Sequence, residues 1–212
     1  MKKSRLFGVM FAGALVAISA SFSACHGSEQ KCDAKSQADS TQIVIENIMT
    51  RTSIRQFTSQ PIPKDTLLSI VKAGMAAPSA VNLQPWSFII IDDAETLAKL
   101  NEGHPYSNLK TATAAIVVCG LLDKTDNEEI RAYWVQDCSA ATENILLAAH
   151  AYGIGAVWCG VFPNPERIKA VKDVLQIPEN VEPLNIITMG YPAENPQPKD
   201  KWREDNIHFQ KW

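Results

Sequence analysis

The sequence predicts a single domain in which helices and strands share one core. The chain has 212 residues with 46% hydrophobic and 20% charged side chains, enough for one well-buried domain. An almost uninterrupted apolar run from Ala114 to Leu122 reads as a central strand covered on both faces. Two stretches, Leu67 to Met75 and Arg131 to Tyr152, place apolar residues at helical spacing.

Lys2, Lys3 and Arg5 precede an apolar run from Leu6 to Ile18, and small residues follow up to Cys25, so residues 1–24 read as a signal peptide. Phe22-Ser23-Ala24-Cys25 resembles a bacterial lipobox, which makes Cys25 the candidate lipidation site and the product an exported, membrane-tethered lipoprotein. Cleavage by the ordinary signal peptidase after Ala20 or Ala24, or an uncleaved anchor, is the alternative. Residues 25–42 are rich in Ser, Asp, Lys and Gln and read as a polar tether, leaving 43–212 as the folded domain.

Ile43, Val44, Ile45 and Ile48 suit a short first helix from Gln42 to Met49. After Pro61 and Pro63, the stripe Leu67, Ile70, Val71, Gly74 and Met75 defines a second helix that stops at Pro78. Ser87 to Ile91 is a strand by its aromatic and β-branched content, and Asp93 caps a short helix reaching Leu100. Beyond the central strand, Trp134, Cys138, Ala141, Ile145 and Ala148 mark the longest helix, stopped by Gly153-Ile154-Gly155. Ala156 to Trp158 opens another strand. Asn164-Pro165-Glu166 starts a helix with Ile168, Val171 and Leu175 inward. Leu184 to Met189 is the last clear strand, and the tail to Trp212 is rich in Pro and Trp.

The net charge of −3 and the lack of a basic stripe argue against nucleic acid as a partner. No G-x-S-x-G, acid pair or metal-spaced histidine pair is present, and five cysteines without C-x-x-C spacing do not suggest zinc. Hard chemistry without catalytic side chains points to a cofactor.

Two segments carry the candidate site. In Arg51-Thr52-Ser53-Ile54-Arg55-Gln56-Phe57, an extended backbone aims Arg51, Ser53 and Arg55 to one side while Ile54 and Phe57 face the core, a grip suited to phosphate. A solvated basic loop is the bland alternative. In Ala77-Pro78-Ser79-Ala80-Val81-Asn82-Leu83-Gln84-Pro85-Trp86, small and polar residues between two prolines end the helix and leave amides to read a polar heterocycle.

This pair resembles the opening of the FMN-dependent nitroreductase family, R-x-S-x-R/K-x-F, a helix, then A-P-S-x-x-N-x-Q-P-W. The resemblance implies an α+β fold with a central mixed sheet flanked by helices, an intertwined homodimer, and one FMN at each of two interfaces. It also implies electron transfer from NAD(P)H to an electron-poor small-molecule acceptor, such as a nitroaromatic or quinone, by a ping-pong mechanism. In the resemblance, Arg51, Thr52, Ser53 and Arg55 hold the phosphate, ribityl chain and pyrimidine edge, and Pro78, Ser79, Ala80 and Asn82 approach the ring from the other subunit. Asn108 matches an asparagine near the ring, Trp158, Cys159 and Gly160 match the backbone passing its reactive edge, and Lys199 and Lys201 match a basic pair closing on the phosphate. A solvated tail is the alternative for the two lysines. No side chain is assigned as catalytic. Export would separate the protein from NAD(P)H, so another reduced donor is the second expectation, and a non-enzymatic flavin-binding or interaction lipoprotein is the alternative function.

Overall fold

The computed structural model describes residues 34–212. The predicted signal and Cys25 lie outside these residues.

Four strands, β1 (Trp86–Ile91), β2 (Ala114–Leu121), β3 (Gly155–Gly160) and β4 (Val181–Gly190), form one sheet in the order β1-β2-β4-β3. All three strand pairs are antiparallel, and the parallel component is the bridge between Ser53 and Ala156. Both faces of the sheet are covered. On one, α2 (Lys64–Met75) and α5 (Trp134–Ala151) bury Ile70, Ile145, Ile116, Val118 and Met189. On the other, α3 (Ala94–Gly103) and α6 (Pro165–Leu175) bury Leu97, Leu100, Val117, Val171 and Ile186. Successive residues of β2 enter opposite cores, which is why its apolar run is unbroken.

Local signals set the helix boundaries. The Asp93 carboxylate accepts the Thr96 amide at 2.8 Å and the Asn164 amide oxygen accepts that of Arg167 at 3.0 Å, satisfying donors that the first helical turn leaves open. Asn127 caps a short α4 (Glu128–Ala132), which separates α5 from Arg131.

Several elements depart from expectation. The first helix, α1 (Ala34–Thr50), begins inside the segment read as a polar tether, where Ala, Lys and Gln favour helix once α1 is nucleated downstream. Met75, expected inward, is 54% exposed because it sits at the last residue of α2, where the stripe leaves the core. α3 runs on to Gly103. β4 starts at Val181, ahead of the expected Leu184, and contains Pro183. The register shift between Val118 and Cys119, where Pro183 pairs, accommodates the missing N–H.

Candidate functional site

The first basic segment is fastened to the sheet edge. The Ile54 amide donates to the Ala156 carbonyl at 3.1 Å, and the Thr58 amide to the Tyr191 carbonyl at 2.8 Å. Ile54 and Phe57 are buried as expected, and their approach depends on missing side chains. A Cβ on Gly155 would lie 2.7 Å from Ile54, and one on Gly190 would lie 2.7 Å from Phe57.

With those anchors inward, Arg51, Thr52, Ser53 and Arg55 line a groove of about 630 Å³ together with Lys199 and Lys201. Four cationic side chains thus face two acidic ones, Glu143 and Asp200. Arg51 Nε is 3.7 Å from Glu143, an ion pair too long for a strong hydrogen bond, and Arg55 makes one long contact, 3.4 Å, to the Ser53 carbonyl. Among the described residues the two guanidinium groups make no other hydrogen bond or ion pair. Glu194, which carries no local sequence signal, receives the backbone amides of Arg55 and Gln56 on one oxygen at 2.5 and 3.1 Å.

β3 forms the neighbouring wall. The Ala156 carbonyl accepts from Ile54, and the Gly160 carbonyl accepts from Arg167 Nη1 at 3.1 Å and from His104 Nε2 at 3.0 Å. These peptide groups therefore point away from β4. Strand alternation gives Trp158, two residues from each, the same orientation, and among the described residues none pairs with its amide on that side. Its indole is partly exposed.

Behind this edge, Cys159 is buried and its thiol donates to the Ser107 carbonyl at 3.0 Å, which also accepts from Thr188 Oγ1 at 2.5 Å. Asn108, in the left-handed conformation at φ 59°, places its Nδ2 3.6 Å from Cys159 Sγ. Burial pushes the Cys159 thiol up, against the lowering effects of Asn108, Thr188 and the nearby Arg55 guanidinium. Cys159 is a neutral anchor for the Ser107–Asn108 turn.

The second predicted segment lies elsewhere. The Ala80 amide donates to Asp137 Oδ1 at 2.9 Å, at the start of α5, whereas Arg51 reaches Glu143 and Thr50 Oγ1 lies 3.0 Å from His150 Nε2 in its later turns. Pro78, Ser79, Ala80 and Asn82 do not line the groove of their own chain. Trp86 is core and Trp134 packs edge-on to Phe162 at 5.0 Å, whereas Trp202 is 67% exposed in this chain. His104, Arg167 and Asp137 also escaped the sequence reading, since isolated polar residues on helices and turns carry no periodic signal.

The sequence model of the nitroreductase family matches residues 48–104 and 102–191. A provisionally named NADH dehydrogenase/NAD(P)H nitroreductase of Methanothermobacter thermautotrophicus is 45% identical over 170 residues, 80% of this chain and 87% of that protein. The FMN-dependent nitroreductase of Clostridium difficile superposes with a TM-score of 0.72 at 29% identity, covering 79% of this chain and 99% of that one. The NADPH:FMN oxidoreductase of Vibrio harveyi, solved with NAD+, gives 0.71 at 27% identity, covering 80% of this chain and 77% of that one.

Proposed function

The chain belongs to the nitroreductase family, and we propose that it uses FMN to carry electrons from NAD(P)H to an electron-poor acceptor, such as a nitroaromatic or quinone, in alternating half-reactions. The observation that carries this reading is the docking of Ile54 on Ala156, which lays the segment carrying Arg51 and Arg55 along the β3 edge, where the Trp158 amide has no partner among the described residues.

The residues present fit FMN. A phosphate dianion needs several fixed donors, and Arg51 and Arg55 offer guanidinium groups that their present contacts leave largely unused. Ser53 adds a hydroxyl between them, and Lys199 and Lys201 close the other side of the groove. The outward Trp158 amide suits a ring nitrogen, and Gly160 has open space where a side chain would otherwise stand.

Bound FMN supplies reversible two-electron chemistry that none of the side chains offers. The protein's part is positional. Arg51 and Arg55 would anchor the charged end, the Trp158 amide would donate to the ring and favour its more electron-rich state, and the Cys159 to Ser107 contact holds the turn that carries Asn108.

A homodimer completes the reading. The loop from Pro78 to Asn82 does not reach the groove of its own chain, and Ile43, Val44, Ile48 and Met49 of α1 are 67%, 58%, 48% and 70% exposed, an apolar face suited to a second copy. The tail carrying Trp202, Phe209 and Trp212 is similarly exposed. The charged and apolar N-terminus ending at Cys25 supports export and a lipid tether, and mass analysis of membrane-extracted protein tests it: an acylated Cys25 supports it and an unmodified N-terminus contradicts it.

Steady-state kinetics test the reaction. Varying NADH against a quinone gives parallel double-reciprocal lines if the substrates take turns; intersecting lines contradict the alternating scheme.

A further inference from the structure

We propose that Asp137 is a positioning residue that holds the Pro78–Gln84 loop in a strained conformation and thereby presents Asn82 to the cofactor; the proposal rests on the flavin reading above.

The loop has an unusual backbone. Val81, Asn82 and Gln84 adopt φ of 48°, 56° and 53°. Asparagine tolerates this region, but a β-branched valine there is an outlier that must be held in place by its surroundings. Val81 is 74% exposed, so burial of its side chain does not hold it. The loop's own bonds are local: Asn82 and Leu83 amides to the Ser79 and Ala80 carbonyls at 3.0 and 2.9 Å, and the Gln84 amide to Ser79 Oγ at 2.9 Å. The bond from the Ala80 amide to Asp137 Oδ1, 2.9 Å, ties this turn to the core across 57 residues.

Asp137 is an unusual choice for that tie. It is 5% exposed on α5, and its second oxygen, Oδ2, is buried without a partner among the described residues. An apolar residue would avoid leaving an oxygen unsatisfied. What the carboxyl group gains is the Ala80 bond, and that bond fixes the turn carrying Asn82. Gln84 Nε2 donates to Asn82 Oδ1 at 3.0 Å, so the Asn82 carboxamide is oriented with its oxygen occupied and its Nδ2 donors available. Asp137 thus acts on the ligand through Ala80 and Asn82, without touching it.

The test uses the full chain, first without flavin. Hydrogen exchange in the wild-type apoprotein is expected to be roughly tenfold slower at the Ala80 amide than at its neighbour Val81, reflecting one additional hydrogen bond. Equal rates would overturn the proposal with no variant needed. Asp137→Ala is then expected to speed exchange at Ala80 and raise the FMN dissociation constant roughly tenfold, read from flavin fluorescence. Asp137→Asn, whose oxygen accepts the same bond while its amide takes the place of Oδ2, is expected to restore both. Faster exchange with unchanged FMN affinity, or equal losses in the Ala and Asn variants, would overturn it. If wild-type protein takes up no FMN, the flavin reading fails, while the exchange comparison still reports on the anchor.

Discussion

The Ile54 amide sits 3.1 Å from the Ala156 carbonyl, and this single backbone contact joins the basic segment at the start of the domain to the free edge of β3, about a hundred residues later. Through it, Arg51, Ser53 and Arg55 share a wall with Trp158. Gly155 leaves room for Ile54 at that contact, and Gly190 leaves room for Phe57 in the same segment.

Gly155→Ala is therefore expected to be costly. The added Cβ would meet Ile54 at 2.7 Å, and relief requires the basic segment to move, lowering stability by about 1–3 kcal/mol. Gly160→Ala, with nothing within 4 Å of its Cβ, is expected to change stability by less than about 1 kcal/mol. Urea unfolding of the two variants checks the contrast, and equal midpoints would show that the Ile54 contact does not govern the edge.

Removing a guanidinium should weaken cofactor binding more than it weakens the fold. Arg51→Ala or Arg55→Ala is expected to raise the FMN dissociation constant by roughly 10- to 100-fold, the loss of a charge-assisted hydrogen bond of about 1.5–3 kcal/mol. Thermal stability of the apoprotein should change little, since the Arg51 to Glu143 pair is long and half-exposed. Flavin fluorescence titration, with a thermal melt alongside, separates the two effects.

How much of this was legible in the chain follows from the kind of signal each residue leaves. Helices such as α6 were readable because burial on one side imposes a period, and β2 because cover on both faces leaves an unbroken apolar run. The groove was readable because Arg51, Ser53 and Arg55 alternate about buried anchors. Glu194 and Asp137 were not, since each acts through backbone amides distant in sequence, and no local pattern encodes such bonds. The start of β4 was not legible either, because the shift that skips Leu184 and seats Pro183 opposite Cys119 depends on pairing with β2.

His150 offers a pH probe of the surroundings of Arg51. Burial first, and the Arg51 guanidinium second, hold its pKa below the ordinary histidine value, and the ring stands 3.0 Å from Thr50 Oγ1. A base whose folded pKa is depressed contributes stability that is present above its unfolded value and is lost as pH falls through the folded one. Arg51→Ala removes the second cause, so His150 is expected to titrate at higher pH in that variant, although still below the ordinary value. NMR titration of the imidazole protons measures it, and an unchanged midpoint would contradict the Arg51 contribution.

Alkaline stability should be limited by two interior thiols. Burial pushes Cys119 and Cys138 up to about 12. In the unfolded chain such thiols titrate near about 8.5. The stability from keeping them protonated is fully present below that unfolded value and is lost as pH rises toward the folded one, at about 1.4 kcal/mol per pH unit for each thiol. Urea unfolding at about pH 8 and about pH 10.5 should show a smaller loss in the Cys119→Ala/Cys138→Ala variant than in wild type. Parallel losses would place the alkaline transition elsewhere.

The central claim is that this chain builds an FMN site from the basic groove and the β3 edge. It is tested most directly by titrating FMN into flavin-free protein and recording the visible absorbance spectrum, followed by addition of NADH without oxygen. One FMN bound per chain, with its yellow absorbance bleached by NADH and restored by a quinone, is the predicted result. A protein that stays colourless after dialysis against excess FMN would contradict the site itself, whatever its fold.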